Sequence, residues 1–522
     1  MTAVPDVIGV VGAGTMGAGI AQLACRAGAR TLLYDADPGA VERALEDIRR
    51  RLERDVERGR LDAAGAQAAL RRLAPAAELE DLAPAGLVVE AAPESLELKR
   101  ELFSRLAEIV GGDCVLATNT SSLSVTELAA GVPGPERVVG MHFFNPAPVM
   151  ELVEVVAGEA SDDDALRVVR TTGAAMGRRV IDAADGPGFL VNRCNRPFGL
   201  EALRLVQEGL ATPEQVDRIC RLGGGFPMGP FELMDLVGID VGFEISKSFY
   251  EQSYGEPRWR PSPLAAKMAA AGRHGRKTGR GWYVYPSDGG AHRPEDEPAP
   301  PAGGGNDRLV VIAGDSALAA QLTAAAMQAG WRAAPPEEAE GRVPALVLDC
   351  GADEALAPAQ GGPPVVLCDA APLAALDPGG TAAGFFAIPP LGALVELTHS
   401  PTTSPAAARA AEEFFRTLGR HVEWVGDAPG LVLGRIVSQL VNEAAFALGE
   451  GRGSASDIDA GMALGLNHPR GPLQWGDEIG PAEVLTVLGG LGEEYREERY
   501  RPAPALLRAA RTGEALHAQP YD

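Results

Sequence analysis

The sequence predicts a duplicated chain: an α/β domain with a parallel sheet is followed by an all-helical domain, and the pair then recurs. Three observations predict it. A glycine-rich turn stands between a short apolar β-branched run and a helical run over residues 7–26. From Asp185 onward the apolar positions take helical spacing. Motifs of the first half then return at a constant offset of 242 residues, Asp427 answering Asp185 and Leu464 answering Leu222. With 522 residues, the chain has room for three or four domains of roughly 100–200 residues each.

Composition narrows the partners. A formal charge of −24 argues against nucleic acid or anionic lipid, both of which need a positive footprint. No uncharged apolar run approaches the ~18 residues of a membrane span, so no membrane insertion is expected. The start runs straight into the glycine turn, without the basic region and apolar core of a signal peptide, and a cytoplasmic location is expected. The cysteines (Cys25, Cys114, Cys194, Cys220, Cys350, Cys368) are scattered, with no C-x-x-C pair. Buried free thiols are expected, and no metal.

The first domain is read as residues 1–185. "VIGVV" at 7–11 is a strand buried on both faces. Gly12, Gly14 and Gly17 then give the G-x-G-x-x-G spacing and open a helix through Ile20, Leu23 and Ala24. Gly12 permits the tight turn, Gly14 lets backbone approach a pyrophosphate, and Gly17 lets helix pack on strand. A second apolar strand ends in Asp35, 21 residues after Gly14, where a ribose-binding carboxylate belongs. This carboxylate would repel a 2′-phosphate, so the cofactor is NAD on a Rossmann-type domain. Met16, inside the turn, joins the cofactor-contacting set.

Residues 39–73 are charged and alanine-rich with apolar positions three and four apart, which predicts two amphipathic helices inserted into this domain. Their arginines read as a solvated face. Arg58 and Arg60 flank Gly59 and can meet an anionic ligand, which makes Arg60 a candidate for substrate binding. Strands resume at "GLVVE", ending in Glu90 before a helix that carries Lys99, and at "CVLAT", ending in the Thr118–Ser122 cluster with Asn119 and Ser121. Ligands of open α/β sheets bind at such carboxyl ends. Ser121 and Ser122 can equally be helix caps.

"RVVGMHFFNPAPVMELVEVV" predicts two strands joined by a proline-containing turn, with His142 near Glu154 if they pair. A histidine among aromatics can be a plain core residue. A buried carboxylate beside it fixes its tautomer and stabilises its protonated form, which suits a general base near neutral pH.

With these residues in view, the chain resembles the 3-hydroxyacyl-CoA dehydrogenases. "GVVGAGTMGAGIA", Asp35, "VVEAAPESLELK", "TNTSSL", "GMHFFNP", "LVEVV", "DGPGFLVNR", "GFPMGPFELMDLVGID" and "GRKTGRGWYVY" occur in family order over residues 7–285. The resemblance implies that His142 is the catalytic base paired with Glu154, and that Ser121 and Asn192 hydrogen-bond the reacting oxygen and the substrate. It implies that Gly12, Gly14, Gly17, Asp35 and Glu90 serve NAD. Lys99, Asn119 and Asn145 match family positions near the cofactor and substrate. The implied reaction is NAD-dependent oxidation of an L-3-hydroxyacyl-CoA thioester to the 3-oxoacyl-CoA. An NAD-dependent dehydrogenase of a free hydroxy or sugar acid, and a non-catalytic NAD-binding scaffold, stand as alternatives.

Residues 186–285 form the first all-helical domain, with Thr212 capping a helix that opens at Pro213. The proline- and glycine-rich stretch 286–306 is a linker or surface loop. Residues 307–427 repeat the α/β domain in degenerate form, and 428–522 the helical one. At the offset of 242, His142 maps to Gly384, Asn145 to Ala387 and Asn192 to Gly434, while Glu154 maps to Glu396. The glycine fingerprint decays to Gly314, Ser316 and Ala319. The copy is expected to bind neither cofactor nor substrate. This layout resembles the longer family members with two helical domains, some of which act on hydroxyadipyl-CoA or hydroxybutyryl-CoA. The two helical domains are expected to pack on each other within one chain, with self-association into a homodimer allowed through another surface.

Overall fold

A computed structural model describes residues 4–287, 290–339, 341–351 and 361–518; the expected domain limits at residues 1 and 522 lie outside these. Fifteen strands are found among the described residues, in two sheets. The first is built from β1 (Val7–Val11), β2 (Arg30–Tyr34), β3 (Leu73–Pro75), β4 (Leu87–Glu90), β5 (Val115–Thr118), β6 (Val138–Phe143), β7 (Leu152–Ala157) and β8 (Arg179–Ala184). Its order is β3-β2-β1-β4-β5-β6-β7-β8, parallel except for the antiparallel β6–β7 pair. The core follows from the apolar runs: Ile8, Val10, Leu33, Leu87, Val89, Val115 and Val139 are all buried. Each such side chain contributes roughly 1.5–3 kcal/mol on leaving water.

The charged stretch 39–73 forms two helices, as its periodicity predicts, the first starting one residue earlier at Pro38–Glu57 and the second spanning Ala63–Arg72. In the first, Val41, Ala44, Ile48 and Leu52 are buried on one face, and Asp37 caps the start by accepting from Gly39 N.

The second sheet holds β9 (Leu309–Ala313), β10 (Arg332–Ala334), β11 (Leu346–Asp349), β12 (Pro364–Leu367), β13 (Ala383–Phe386), β14 (Leu394–His399) and β15 (His421–Trp424). Its order, β10-β9-β11-β12-β13-β14-β15, with only β13–β14 antiparallel, repeats the first sheet without the far edge strand. Four strands were not legible as apolar runs: β3 and β10 have three residues each, and β8 and β15 carry charged or polar side chains.

The chain folds as two compact units that cross the linear domain limits. One holds the chain through Arg193 and takes in Glu450–Leu466; the other holds Cys194–Gly449 and the chain from Asn467. Within the second unit the two helical domains pack on each other through helices Arg196–Gln207 and Leu433–Gly449. Phe226 touches His468, its own counterpart at the 242 offset, with ring centroids 5.1 Å apart. Contact between counterparts marks a pseudo-two-fold join. Arg435, fully buried, ties it by donating to Glu201 at 3.1 Å and Glu208 at 2.7 Å.

The stretch read as a linker is pinned at two places: at residues 292–296, and at its end, where Gly303 N donates to the Thr417 carbonyl at 2.8 Å and Gly305 N to that of Ala329 at 2.9 Å. His292 and Arg293 both meet Glu232 Oε1, at 2.8 and 2.6 Å, and Asp296 accepts from Arg221.

Candidate active site

The glycine turn has the shape its sequence predicts. Gly12 stands at φ +101°, and a Cβ there would lie 2.5 Å from the Ala91 carbonyl oxygen. A Cβ at Gly17 would lie 1.7 Å from the Gly12 carbonyl oxygen, so helix and turn meet backbone to backbone. Beside Gly14 the space is open, and helix Thr15–Arg26 starts there with no side-chain cap. Its N-terminal N–H groups are therefore left for an anionic group. Asp35 follows β2, accepting from Ala13 N at 2.7 Å through one oxygen and from Asp37 N at 2.9 Å through the other. Met16 is half-buried against the core of this unit. Together the open turn, the uncapped helix and the carboxylate fit a dinucleotide such as NAD.

The second copy keeps the first glycine of the turn, Gly314 at φ +106°, but not the open helix start. Ser316 caps helix Ala317–Gln328, accepting from Ala319 N at 3.2 Å, and thereby occupies the helix start that is open at Gly14.

At the carboxyl ends of β4 and β5 lies a buried polar network. Glu90 and Lys99 are 0% and 1% exposed, with Nζ 2.6 Å from Glu90 Oε1. Glu90 also accepts from Ala92 N and Thr118 Oγ1, at 2.6 and 2.7 Å. Both side chains thus brace this edge from below. Sequence reasoning missed Glu94. Its Oε1 accepts from Thr120 Oγ1 and Ser122 Oγ and from the backbone N–H groups of Ser121 and Ser122. Burial pushes the Glu94 carboxyl up, but the Lys99 charge and these donors outweigh it and hold it below the usual carboxylate range. Ser121 is thereby fixed through its backbone; among the described residues its Oγ has no partner. Asn119 Oδ1 accepts from Phe143 N at 2.8 Å, tying this loop to β6.

The antiparallel register sets His142 directly opposite Glu154. His142 Nδ1 lies 2.6 Å from Glu154 Oε2, with the residues 5% and 0% exposed. The other carboxylate oxygen accepts from Leu190 N at 3.2 Å and Val191 N at 3.0 Å. Those N–H groups converge because Phe189 takes a left-handed φ of +51°, a strained conformation for a bulky residue. Rings of Phe144 and Phe189 pack on the imidazole at 4.6 and 5.9 Å. Asn192 follows Val191 directly, so the carboxylate that holds the histidine also holds the backbone leading to Asn192. Two expected residues are not drawn in. Asn145 is exposed in the β6–β7 turn, and Arg60 is exposed between the inserted helices, with no side-chain hydrogen bond or ion pair among the described residues.

One expectation about the second copy needs correction. Glu396 keeps its backbone partners, Val432 N at 2.8 Å and Leu433 N at 3.0 Å, but the residue opposite it is Phe386, not Gly384. The hairpin register has slipped by two residues, which counting along the chain does not reveal. A Cβ on Gly434, the counterpart of Asn192, would lie 2.4 Å from the Phe386 ring, so an aromatic ring fills the space of the amide.

The six cysteines are buried, and none forms a disulfide. Among the described residues no helix is long and apolar enough to cross a membrane, and no acidic, His or Cys cluster could hold a metal ion.

Comparison with known proteins agrees with this geometry. Residues 7–186 match the family model described as 3-hydroxyacyl-CoA dehydrogenase, NAD binding domain. Residues 188–285 and 430–520 match the model of its C-terminal domain. The chain is 36% identical over 504 residues to 3-hydroxyadipyl-CoA dehydrogenase of Escherichia coli K12, covering 96% of this chain and 97% of that one. Its first half is 40% identical to a probable 3-hydroxybutyryl-CoA dehydrogenase of Bacillus subtilis, covering 53% of this chain and 96% of the relative. The crystal structure of a 3-hydroxybutyryl-CoA dehydrogenase from Escherichia coli K12 superposes with a TM-score of 0.80 at 34% identity, covering 97% of this chain and 98% of the other.

Proposed function

The chain belongs to the 3-hydroxyacyl-CoA dehydrogenase family of NAD-dependent oxidoreductases, and from that premise we propose that His142 is the base that takes the 3-hydroxyl proton as an L-3-hydroxyacyl-CoA gives its hydride to NAD. The observation that carries this reading is the buried 2.6 Å contact between His142 Nδ1 and Glu154. The carboxylate keeps the proton on Nδ1 and leaves Nε2 unprotonated to accept the proton of the 3-hydroxyl. As the imidazolium forms, Glu154 stabilises its charge. Ser121 and Asn192 donate to the substrate oxygen as it becomes a carbonyl, or as it gains charge in the reverse direction. Bound NAD supplies the hydride acceptor. Gly12, Gly14, Met16, Gly17 and Asp35 hold it, with Asn145 at the edge near the substrate. Glu90, Lys99 and Asn119 brace the β4 and β5 ends against it.

Arg60, exposed between the inserted helices, is the cation assigned to the anionic CoA end of the substrate. Neither nucleic acid nor membrane enters the proposal, and six cysteines without a disulfide suit a cytoplasmic location. The relatives' names make the 3-hydroxyadipyl and 3-hydroxybutyryl thioesters the first candidates.

The test is NADH formation from a panel of L-3-hydroxyacyl-CoA thioesters, including those two, beside the corresponding free hydroxy acids. Turnover confined to the thioesters is expected. Turnover of the free acids alone would replace this reading.

A further inference from the structure

The residues that close the back of the first-half site come from the far end of the chain. Helix Ala455–Leu466, more than 260 residues beyond Asn192, packs on β7 and β8. The preceding residues run alongside the Asp185–Asn192 turn: Ala184 N donates to the Arg452 carbonyl at 3.0 Å, and Arg452 Nη1 donates to the Asp185 carbonyl at 2.7 Å. Glu450 accepts from Arg193 at 2.8 Å, and Asp457 from Arg179 at 3.2 Å.

That turn is where the site is assembled. The Asp185 carboxylate accepts from Ser124 Oγ, Val125 N and Thr126 N and so anchors the segment after the hydroxyl cluster. Leu190 and Val191 donate to Glu154, and Asn192 follows.

Three glycines bring the distant segment into contact with it. A Cβ on Gly453 would lie 2.6 Å from Leu190, one on Gly461 2.6 Å from Val191 and 3.0 Å from Ile181, and one on Gly465 2.8 Å from Leu152 and 3.4 Å from Phe144. Leu190 and Val191 are the two donors to Glu154, and Phe144 is the ring against His142. Glycine weakens a helix, so two of them in one twelve-residue helix need a packing reason. The counterpart helix Pro213–Leu222 packs on β14 and β15 with buried Ile219 at the position of Gly461, so the glycine is particular to the approach on Val191 and Ile181.

We propose that Glu450–Leu466 is a positioning element of the catalytic site: by packing on Leu190, Val191 and Phe144 it holds Glu154 under His142 and Asn192 at the reacting oxygen. The second half, which has lost its own chemistry, is thus kept as a structural part of the first. The role rests on His142 and Glu154 being the working pair, and its test separates the two claims.

The full-length chain carrying Gly461→Val is compared with wild type by the downfield proton resonance of the His142 Nδ1–H, which needs no substrate and is assigned by its loss in His142→Asn. In a folded Gly461→Val protein the resonance should shift upfield or exchange away. Turnover should fall about 10- to 100-fold, the scale of an ångström-level misplacement, with KM for NAD little changed. Adding Val191→Ala should restore both. If Gly461→Val does not fold, Gly461→Ala is read by the same resonance. A folded variant with the wild-type resonance and wild-type turnover overturns the inference. A resonance that responds as expected in a protein without turnover on any thioester keeps the inference and overturns the proposed reaction.

Discussion

Glu154 serves two structures at once, one oxygen to His142 and the other to the Leu190 and Val191 N–H groups. Glu154→Gln separates them. The amide oxygen still accepts from the two N–H groups, but the NH2 faces Nδ1 and forces the proton onto Nε2, where a base must be vacant. Steady-state NADH formation should fall about 100- to 10,000-fold, the range for loss of general-base function, while the melting temperature stays close to wild type. Glu154→Ala should lower both, because two buried donors and an imidazole lose their acceptor at ~1–3 kcal/mol each. The pair was legible in the sequence because its members lie twelve residues apart across one short turn, a separation a hairpin closes. Glu94 was not legible: it organises Thr120, Ser121 and Ser122 from 26 to 28 residues away, and only the parallel pairing of β4 with β5 brings them together.

Among elements, the β13–β14 hairpin shows what a decayed site retains. Its register slip puts Phe386 where a histidine would face Glu396, leaving a glutamate that accepts from two backbone N–H groups. Burial pushes the Glu396 carboxyl up to about 8, above its ordinary 4.5, and the N–H groups only partly offset this. A carboxyl raised in the folded state contributes fully below the unfolded value and loses that contribution as pH rises toward the folded one. Wild type should therefore lose stability between pH 4.5 and about 8, on the order of a few kcal/mol from this group. Glu396→Gln should gain melting temperature over wild type at pH 8 but not at pH 5; equal pH dependence in the two proteins would contradict the assignment. The glycine turn, the inserted helices and the central strands were readable from local pattern. The slip was not, because an offset counts residues whereas register counts hydrogen bonds. Short or polar edge strands such as β10 and β15 carry no apolar run to read.

At the scale of the whole molecule, the duplication repeats the sheet of the first half in the second without its histidine or its full glycine fingerprint. The repeat was visible from its constant offset, and so was the loss of the second fingerprint. That the helix Ala455–Leu466 joins the first compact unit was not, since nothing local in a sequence says which distant sheet a glycine-bearing helix will approach. The account rests on one claim: hydride leaves a 3-hydroxyacyl-CoA for NAD only when His142 takes the proton. The most direct measurement is single-turnover NADH formation from a saturating L-3-hydroxyacyl-CoA by wild type and His142→Asn, each shown to bind NAD. The account predicts a rate lower by about 100- to 10,000-fold in the variant with NAD affinity retained. A folded, NAD-bound His142→Asn protein that turns over at the wild-type rate would contradict it.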